Sequence, residues 1–110
     1  MATHHRSLED LQRLAEFKEL APEEFQAFAR LDVTIGREGG AIDQLHQELI
    51  AVGVAISSQC PYCIQVHVTH AKKAGATKAQ IAEAAMIAAG LGAGAALTHG
   101  TMALRIFDEA

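Results

Sequence analysis

Cys60, Cys63, His67 and His70 follow one another at steps of three, four and three residues. On a helix these steps put all four on one face. Cys60 precedes Pro61, and proline suits the first turn of a helix, so Cys60 falls at or just before a helix N-terminus. Free amide N–H groups and the helix dipole favour a thiolate there. Cα atoms three residues apart on a helix are about 5 Å from each other, within disulfide reach. The pair can therefore cycle between dithiol and disulfide. His67 lies one turn beyond Cys63 and can exchange a proton with its sulfur. Glu48, on the preceding helix, can orient or reprotonate His67. The result is a carboxylate–imidazole–thiol relay. Tyr62, between the cysteines, is placed to shield them or to supply a hydroxyl.

Plainer readings compete at each position. Two cysteines at helical spacing can be inert core residues. A zinc site built from Cys60, Cys63 and His67 has poor geometry, because Cys60 and His67 stand about 10 Å apart along a straight helix. Zinc needs every ligand about 2.0 to 2.3 Å away. Only a Cys60 that left the helix would join such a site, so no metal and no cofactor is expected. His70 reads as structural or as part of a subunit contact. Glu48 has a solvated edge position as its alternative. His46 and His99 have no evident partner, and His4 and His5 read as disordered.

The elements around this constellation are helical throughout. Ser7 reads as an N-cap with Asp10 three residues on. Leu8, Leu11, Leu14 and Ala15 then carry a first helix to about Leu20. Pro22 opens a second, with Phe25, Phe28 and Ala29 on its apolar side. Asp32 to Gly40 reads as a loop, marked by Gly36, Gly39 and Gly40. A third helix spans roughly Asp43 to Ile56. Leu45, Leu49, Val52 and Ile56 line one face of it, and Glu48 sits at the edge of that stripe. A charge there needs a partner. After the break Ser57-Ser58-Gln59, a fourth helix runs from Cys60 and Pro61 to Ala74, with Gly75 as its stop. Thr77 and Gln80 form a capping box for a fifth, carrying Ile81, Ala84, Ala85 and Ala88. Gly90, Gly92 and Gly94 are expected to interrupt it, and a sixth helix runs from about Ala93 to Phe107. No strand is expected, and residues 1–110 read as one all-α domain of about six helices.

Composition limits what such a domain can do alone. Half of the 110 residues are apolar, but aromatic residues make up 5% and tryptophan is absent. Alanine and glycine bury little area each, at roughly 25 cal/mol per Å². A short chain of this kind struggles to stabilise a monomer, so subunits are expected to share a core. The net charge is −4 and no Lys/Arg cluster exists, which argues against nucleic acid. No signal peptide is visible at Met1 to Arg6. The run Ala84 to Leu97 looks too short to span a bilayer. The expected location is the cytoplasm, with no membrane partner. Two cysteines three apart there suggest redox chemistry or metal rather than a structural staple.

The segment from Glu48 to Glu83 resembles the core of the alkylhydroperoxidase D-like (AhpD-like) proteins, within the wider carboxymuconolactone decarboxylase-like group. The features that carry the resemblance are Glu48, then Cys60-Pro61-Tyr62-Cys63, His67 and Ala71, then Gly75-Ala76-Thr77 leading into Ile81-Ala82-Glu83-Ala84. They cover about a third of the chain and are specific as an ordered set. The resemblance implies an AhpD-like helical bundle that assembles into rings, a hexamer first and a trimer second. It implies reduction of small organic hydroperoxides by Cys63, which would become a sulfenic acid resolved by Cys60. His67 and Glu48 would manage protons. An external dithiol, a lipoylated or thioredoxin-like protein, would restore the thiols.

Two departures stand out. The better-characterised peroxidase has a histidine between its cysteines where this chain has Tyr62, and it is about twice as long. The dipole argument points to Cys60 as the attacking sulfur, whereas the resemblance points to Cys63. The other functions on this scaffold are a redox-sensing or structural oligomer, a decarboxylase-like enzyme and a metal-binding module. True lactone decarboxylases generally lack the cysteine pair, which counts against decarboxylation.

Overall fold

The computed structural model describes residues 8–110, so the Ser7 cap and the expected disorder of His4 and His5 lie outside the described residues. A 3-10 turn, Leu8–Arg13, leads into α1 (Leu14–Leu20) and α2 (Pro22–Ile35). Three further helices follow: α3 (Gln44–Ser57), α4 (Pro61–Lys73) and α5 (Lys78–Glu109). No strand occurs among the described residues, so the all-α class holds.

Three boundaries differ from the sequence expectation. The first helix opens as a 3-10 turn instead of a full α-helix. The second continues to Ile35, because Leu31, Val33 and Thr34 break no pattern and Gly36 is the first residue that does. The fifth and sixth helices are one helix of 32 residues. An interior glycine costs roughly 1 kcal/mol against alanine and removes no hydrogen bond, so Gly90, Gly92 and Gly94 weaken α5 without breaking it. The count among the described residues is therefore five α-helices.

The helix ends are well specified. Asp43 caps α3, its side chain accepting from the His46 N–H at 2.9 Å. That backbone bond, with the bond to the His46 ring, holds the Asp43 carboxyl below the usual carboxylate range. Thr77 caps α5 with a complete capping box. The Gln80 N–H donates to Thr77 Oγ1 at 3.1 Å, and the Thr77 N–H donates to Gln80 Oε1 at 2.9 Å. Thr77→Ala is expected to cost about 1 kcal/mol, seen as a lower urea midpoint, and Thr77→Ser to restore most of it.

α3 is the centre of the packed part, with α4 on one side and α5 on another. The stripe Leu45, Leu49, Val52 and Ile56 faces inward, as its spacing predicts, and Val52 is fully buried. Ile81, Ala84, Ala85 and Ala88 form the matching face of α5. Beyond Ala88 every residue of α5 is exposed. α1 packs on α2, and a hydrogen bond from Tyr62 Oη to Asp10 Oδ2, 2.8 Å, ties the N-terminal turn to α4.

The single chain is far from closed. Its radius of gyration is 18.1 Å, against about 13 Å for a compact chain of this length. Its accessible surface is 9011 Å², against roughly 5,900 Å² for a folded monomer of this mass. Among the described residues the buried hydrophobic core is Val52, Ala55 and Ala71. α5 is also long and apolar enough to cross a membrane by length and composition, with a mean hydropathy of 1.5 in its best window. The run Ala84 to Leu97, too short to span a bilayer by itself, lies inside this continuous 32-residue helix.

Candidate active site

The turn between α3 and α4 places the first cysteine. α3 ends with Ser58 as its C-cap, and Gln59 follows in the left-handed region at φ 55°. The Gln59 N–H then donates to the Ile56 carbonyl, and the Cys60 N–H to the Ala55 carbonyl, each at 3.1 Å. These two bonds define a Schellman cap. The end of α4 repeats it, with Gly75 at φ 102° and bonds from Gly75 to Lys72 and from Ala76 to Ala71. Glycine takes that backbone freely, whereas glutamine is strained by it, of order 1 kcal/mol or more. The strained residue directly precedes Cys60.

Cys60 thus closes one helix and opens the next. Its backbone caps α3, and its side chain is the N-cap of α4, with Sγ accepting from the Cys63 N–H at 3.2 Å. The two cysteines are joined as a disulfide, with Cα atoms 5.3 Å apart. Both sulfur-bearing residues are half-buried.

One turn further along α4, the His67 Nδ1–H donates to Glu48 Oε2 at 2.7 Å. An ionised carboxylate only accepts, so Nδ1 carries the proton, and in the neutral ring Nε2 then keeps its lone pair. The sequence expectation that Glu48 reaches His67 from the preceding helix matches this geometry, and the charge at the edge of the stripe has its partner. His70, read from sequence as structural, also faces Glu48, its Nδ1 3.8 Å from Oε1. The His67 and His70 rings meet edge to face at 5.9 Å. Their spacing of three residues was the signal for that second imidazole.

Among the described residues, the remaining histidines lie apart from this cluster. His46 Nδ1 bonds Asp43 at 2.7 Å, and His99 donates to the Ala95 carbonyl at 3.0 Å. A large apolar groove of about 610 Å³ runs between α3 and α5, lined in part by Leu49, Val54, Ile87 and Leu91. None of its lining residues belongs to the cysteine–histidine–glutamate set. Of the small residues preceding the cysteine turn, Val54 lines that groove and Ala55 is core.

Residues 22–105 match the model of the carboxymuconolactone decarboxylase family. The chain belongs to that family. Uncharacterised protein 4 in the cox locus of Paracoccus denitrificans is 50% identical to it over 70 residues, 64% of this chain and 63% of that protein. An uncharacterised protein of Cupriavidus necator is 32% identical over 71 residues, again 64% of this chain and 63% of the other. The chain thus matches less than two thirds of the length of these curated relatives. Among solved structures, a carboxymuconolactone decarboxylase family protein from Legionella pneumophila superposes with a TM-score of 0.68 at 33% identity. That match covers 92% of this chain and 89% of the other. A protein from Methanobacterium thermoautotrophicum gives a TM-score of 0.70 at 30% identity, covering 77% and 94%. Family membership supplies an enzyme-like scaffold, and the AhpD-like resemblance of Glu48 to Glu83 lies wholly inside the matched residues.

Proposed function

We propose that this family member is a dithiol peroxidase that reduces small organic hydroperoxides. The observation that carries the proposal is the disulfide of Cys60 and Cys63 at the start of α4, one turn from the His67–Glu48 pair. In the reduced protein, His67 Nε2 takes the Cys63 thiol proton. The thiolate attacks the distal oxygen of the hydroperoxide and the O–O bond breaks. His67 returns the proton to the leaving alkoxide, so an alcohol departs and Cys63 becomes a sulfenic acid. The Cys60 sulfur displaces the sulfenic oxygen as water, and the disulfide forms. An external dithiol, on a lipoylated or thioredoxin-like protein, reduces the disulfide and is itself oxidised. The net change is hydroperoxide plus dithiol to alcohol, water and disulfide. The same proposal takes the protein to act in the cytoplasm as a ring of identical subunits, a hexamer before a trimer.

Glu48 holds the His67 tautomer and offsets the imidazolium that forms during proton transfer. Glu48→Gln keeps an acceptor for Nδ1–H and loses the charge. It is expected to slow hydroperoxide consumption about 10²-fold or more, with the disulfide still able to form on prolonged oxidation.

The test is consumption of tert-butyl hydroperoxide by the reduced protein under excess dithiol. Many turnovers per subunit support the peroxidase. One equivalent consumed, with the disulfide formed and no turnover, points to a redox sensor. No consumption with both thiols titratable removes the proposal.

A further inference from the structure

We propose that Glu48, His67 and His70 form a binding site for a borderline divalent metal ion, zinc above all, and that this site overlaps the proton relay. Each of the three residues offers one donor atom, and the three atoms lie within 4.8 Å of one another. His67 Nδ1 lies 2.7 Å from Glu48 Oε2 and His70 Nδ1 lies 3.8 Å from the other carboxylate oxygen, Oε1. Ligands around tetrahedral zinc stand about 3.3 Å apart at the usual bond lengths, so the two separations straddle the required value. Small rotations of the rings gather all three donors on one ion. Two imidazoles and one carboxylate carry a single negative charge when the rings are neutral, a set that suits zinc and its first-row neighbours better than magnesium or calcium.

The position also suits an ion. The two histidines come from one face of α4 and the glutamate from α3, so both helices hold the donors. A cavity of about 270 Å³ opens onto Glu48 and His70, lined also by Gln44, Gln47 and Lys73. It admits a hydrated ion and leaves room for water as a fourth ligand. Lys73 sets its charge against the cation and limits the affinity. This donor set differs from Cys60, Cys63 and His67, whose positions along α4 are too spread for one metal, and it uses neither cysteine.

Occupancy has a consequence for the redox chemistry. The ion takes His67 Nδ1 and the Glu48 carboxylate, the two groups whose hydrogen bond leaves Nε2 basic. A zinc-loaded subunit therefore cannot pass the proton that the thiol reaction needs. Binding is independent of the peroxidase proposal; inhibition rests on it.

The experiment titrates Zn²⁺ into the full chain carrying Cys60→Ser and Cys63→Ser, so that thiolates cannot bind. One ion per subunit is expected, with affinity at least tenfold weaker when His70→Ala is added. Because His70→Ala can disturb α4, imidazole ¹⁵N resonances provide a second reading. Zinc should move those of His67 and His70 and leave His46, His99, His4 and His5 in place. Absence of binding, equal affinity without His70, or shifts confined to the other histidines overturns the site. In the same cysteine-free protein, zinc should also remove the His67 Nδ1–H proton resonance and leave the proton on Nε2. A retained His67 Nδ1–H in the zinc-loaded protein overturns the overlap while leaving the binding measurement to stand by itself.

Discussion

Cys63→Ser is expected to lose hydroperoxide turnover completely, and Cys60→Ser to stop after one equivalent with a sulfenic acid held on Cys63. The two sulfurs occupy different positions at the start of α4. Cys60 is the N-cap and its Sγ accepts the Cys63 amide N–H. That bond and the dipole favour a thiolate on Cys60. A stabilised thiolate is a poorer nucleophile but a better leaving group in thiol–disulfide exchange. Departure of Cys60 is what regeneration needs, when the external dithiol attacks the disulfide at Cys63. Cys63, four residues before His67 on the same helix, has a base whose tautomer Glu48 has already set. Attack by Cys63 and resolution by Cys60 therefore use each environment for the step it favours. Dimedone labelling followed by mass spectrometry after limiting peroxide checks the assignment. Label on Cys63 in Cys60→Ser, and none on Cys60 in Cys63→Ser, supports it. The opposite pattern exchanges the roles and makes the dipole the deciding influence.

Tyr62 bears on the same chemistry. It stands where the better-characterised peroxidase has a histidine, and its hydroxyl is engaged with Asp10 of the N-terminal turn. A phenol does not take a proton near neutral pH. In the proposed reaction all base chemistry therefore passes through His67, which is why the Glu48 variant is expected to be so sensitive.

What was legible in the sequence follows from which signals are local. The steps of three and four between Cys60, Cys63 and His67 need only a helix to become one face, and Pro61 with Gly75 bound that helix. Glu48 was legible because a carboxylate beside the Leu45–Ile56 stripe must find a partner. His70 was legible as a member of that face, whereas its approach to Glu48 was not, since that residue sits on another helix. The Gln59 turn left no signal: its left-handed backbone is imposed by the two Schellman hydrogen bonds, at a residue without glycine's or asparagine's preference for that region. The three glycines near residue 92 misled in the other direction. Their cost is local and modest, whereas a break would also forfeit the hydrogen bonds of a helix otherwise rich in alanine and leucine. The small core was legible from composition alone, since few large apolar residues leave little to bury.

Leu97→Glu is expected to abolish assembly and to lower the helix content of the protein. Leu97 is 77% exposed in the single chain, and Leu91, Leu104 and Phe107 on the same helix are exposed at 69% or more. Every residue of the second half of α5 is exposed, and a glycine-bearing helix standing alone in water is marginal. The chain's accessible surface exceeds that of a compact monomer by roughly 3,000 Å², and on the scale that counts both partners, about 6,000 Å², this lies at the upper end of obligate interfaces. Each large apolar side chain covered there contributes about 1.5 to 3 kcal/mol, so several together decide whether the chain folds. A carboxylate in that seam costs several kcal/mol and has no partner designed for it. Light scattering on the native protein should give a multiple of 11.7 kDa, six-fold for the hexamer and three-fold for the trimer. Leu97→Glu should give the monomer mass, with weaker far-UV dichroism and a broad thermal transition. A native protein that is monomeric and cooperatively folded at micromolar concentration removes the shared core. Recovery of the native protein only with lipid or detergent assigns the covering of α5 to a bilayer, whose span its length and hydropathy match. Because the cysteine turn and the His67–Glu48 pair are built from α3 and α4 alone, failure of the assembly prediction leaves the redox proposal to its own test.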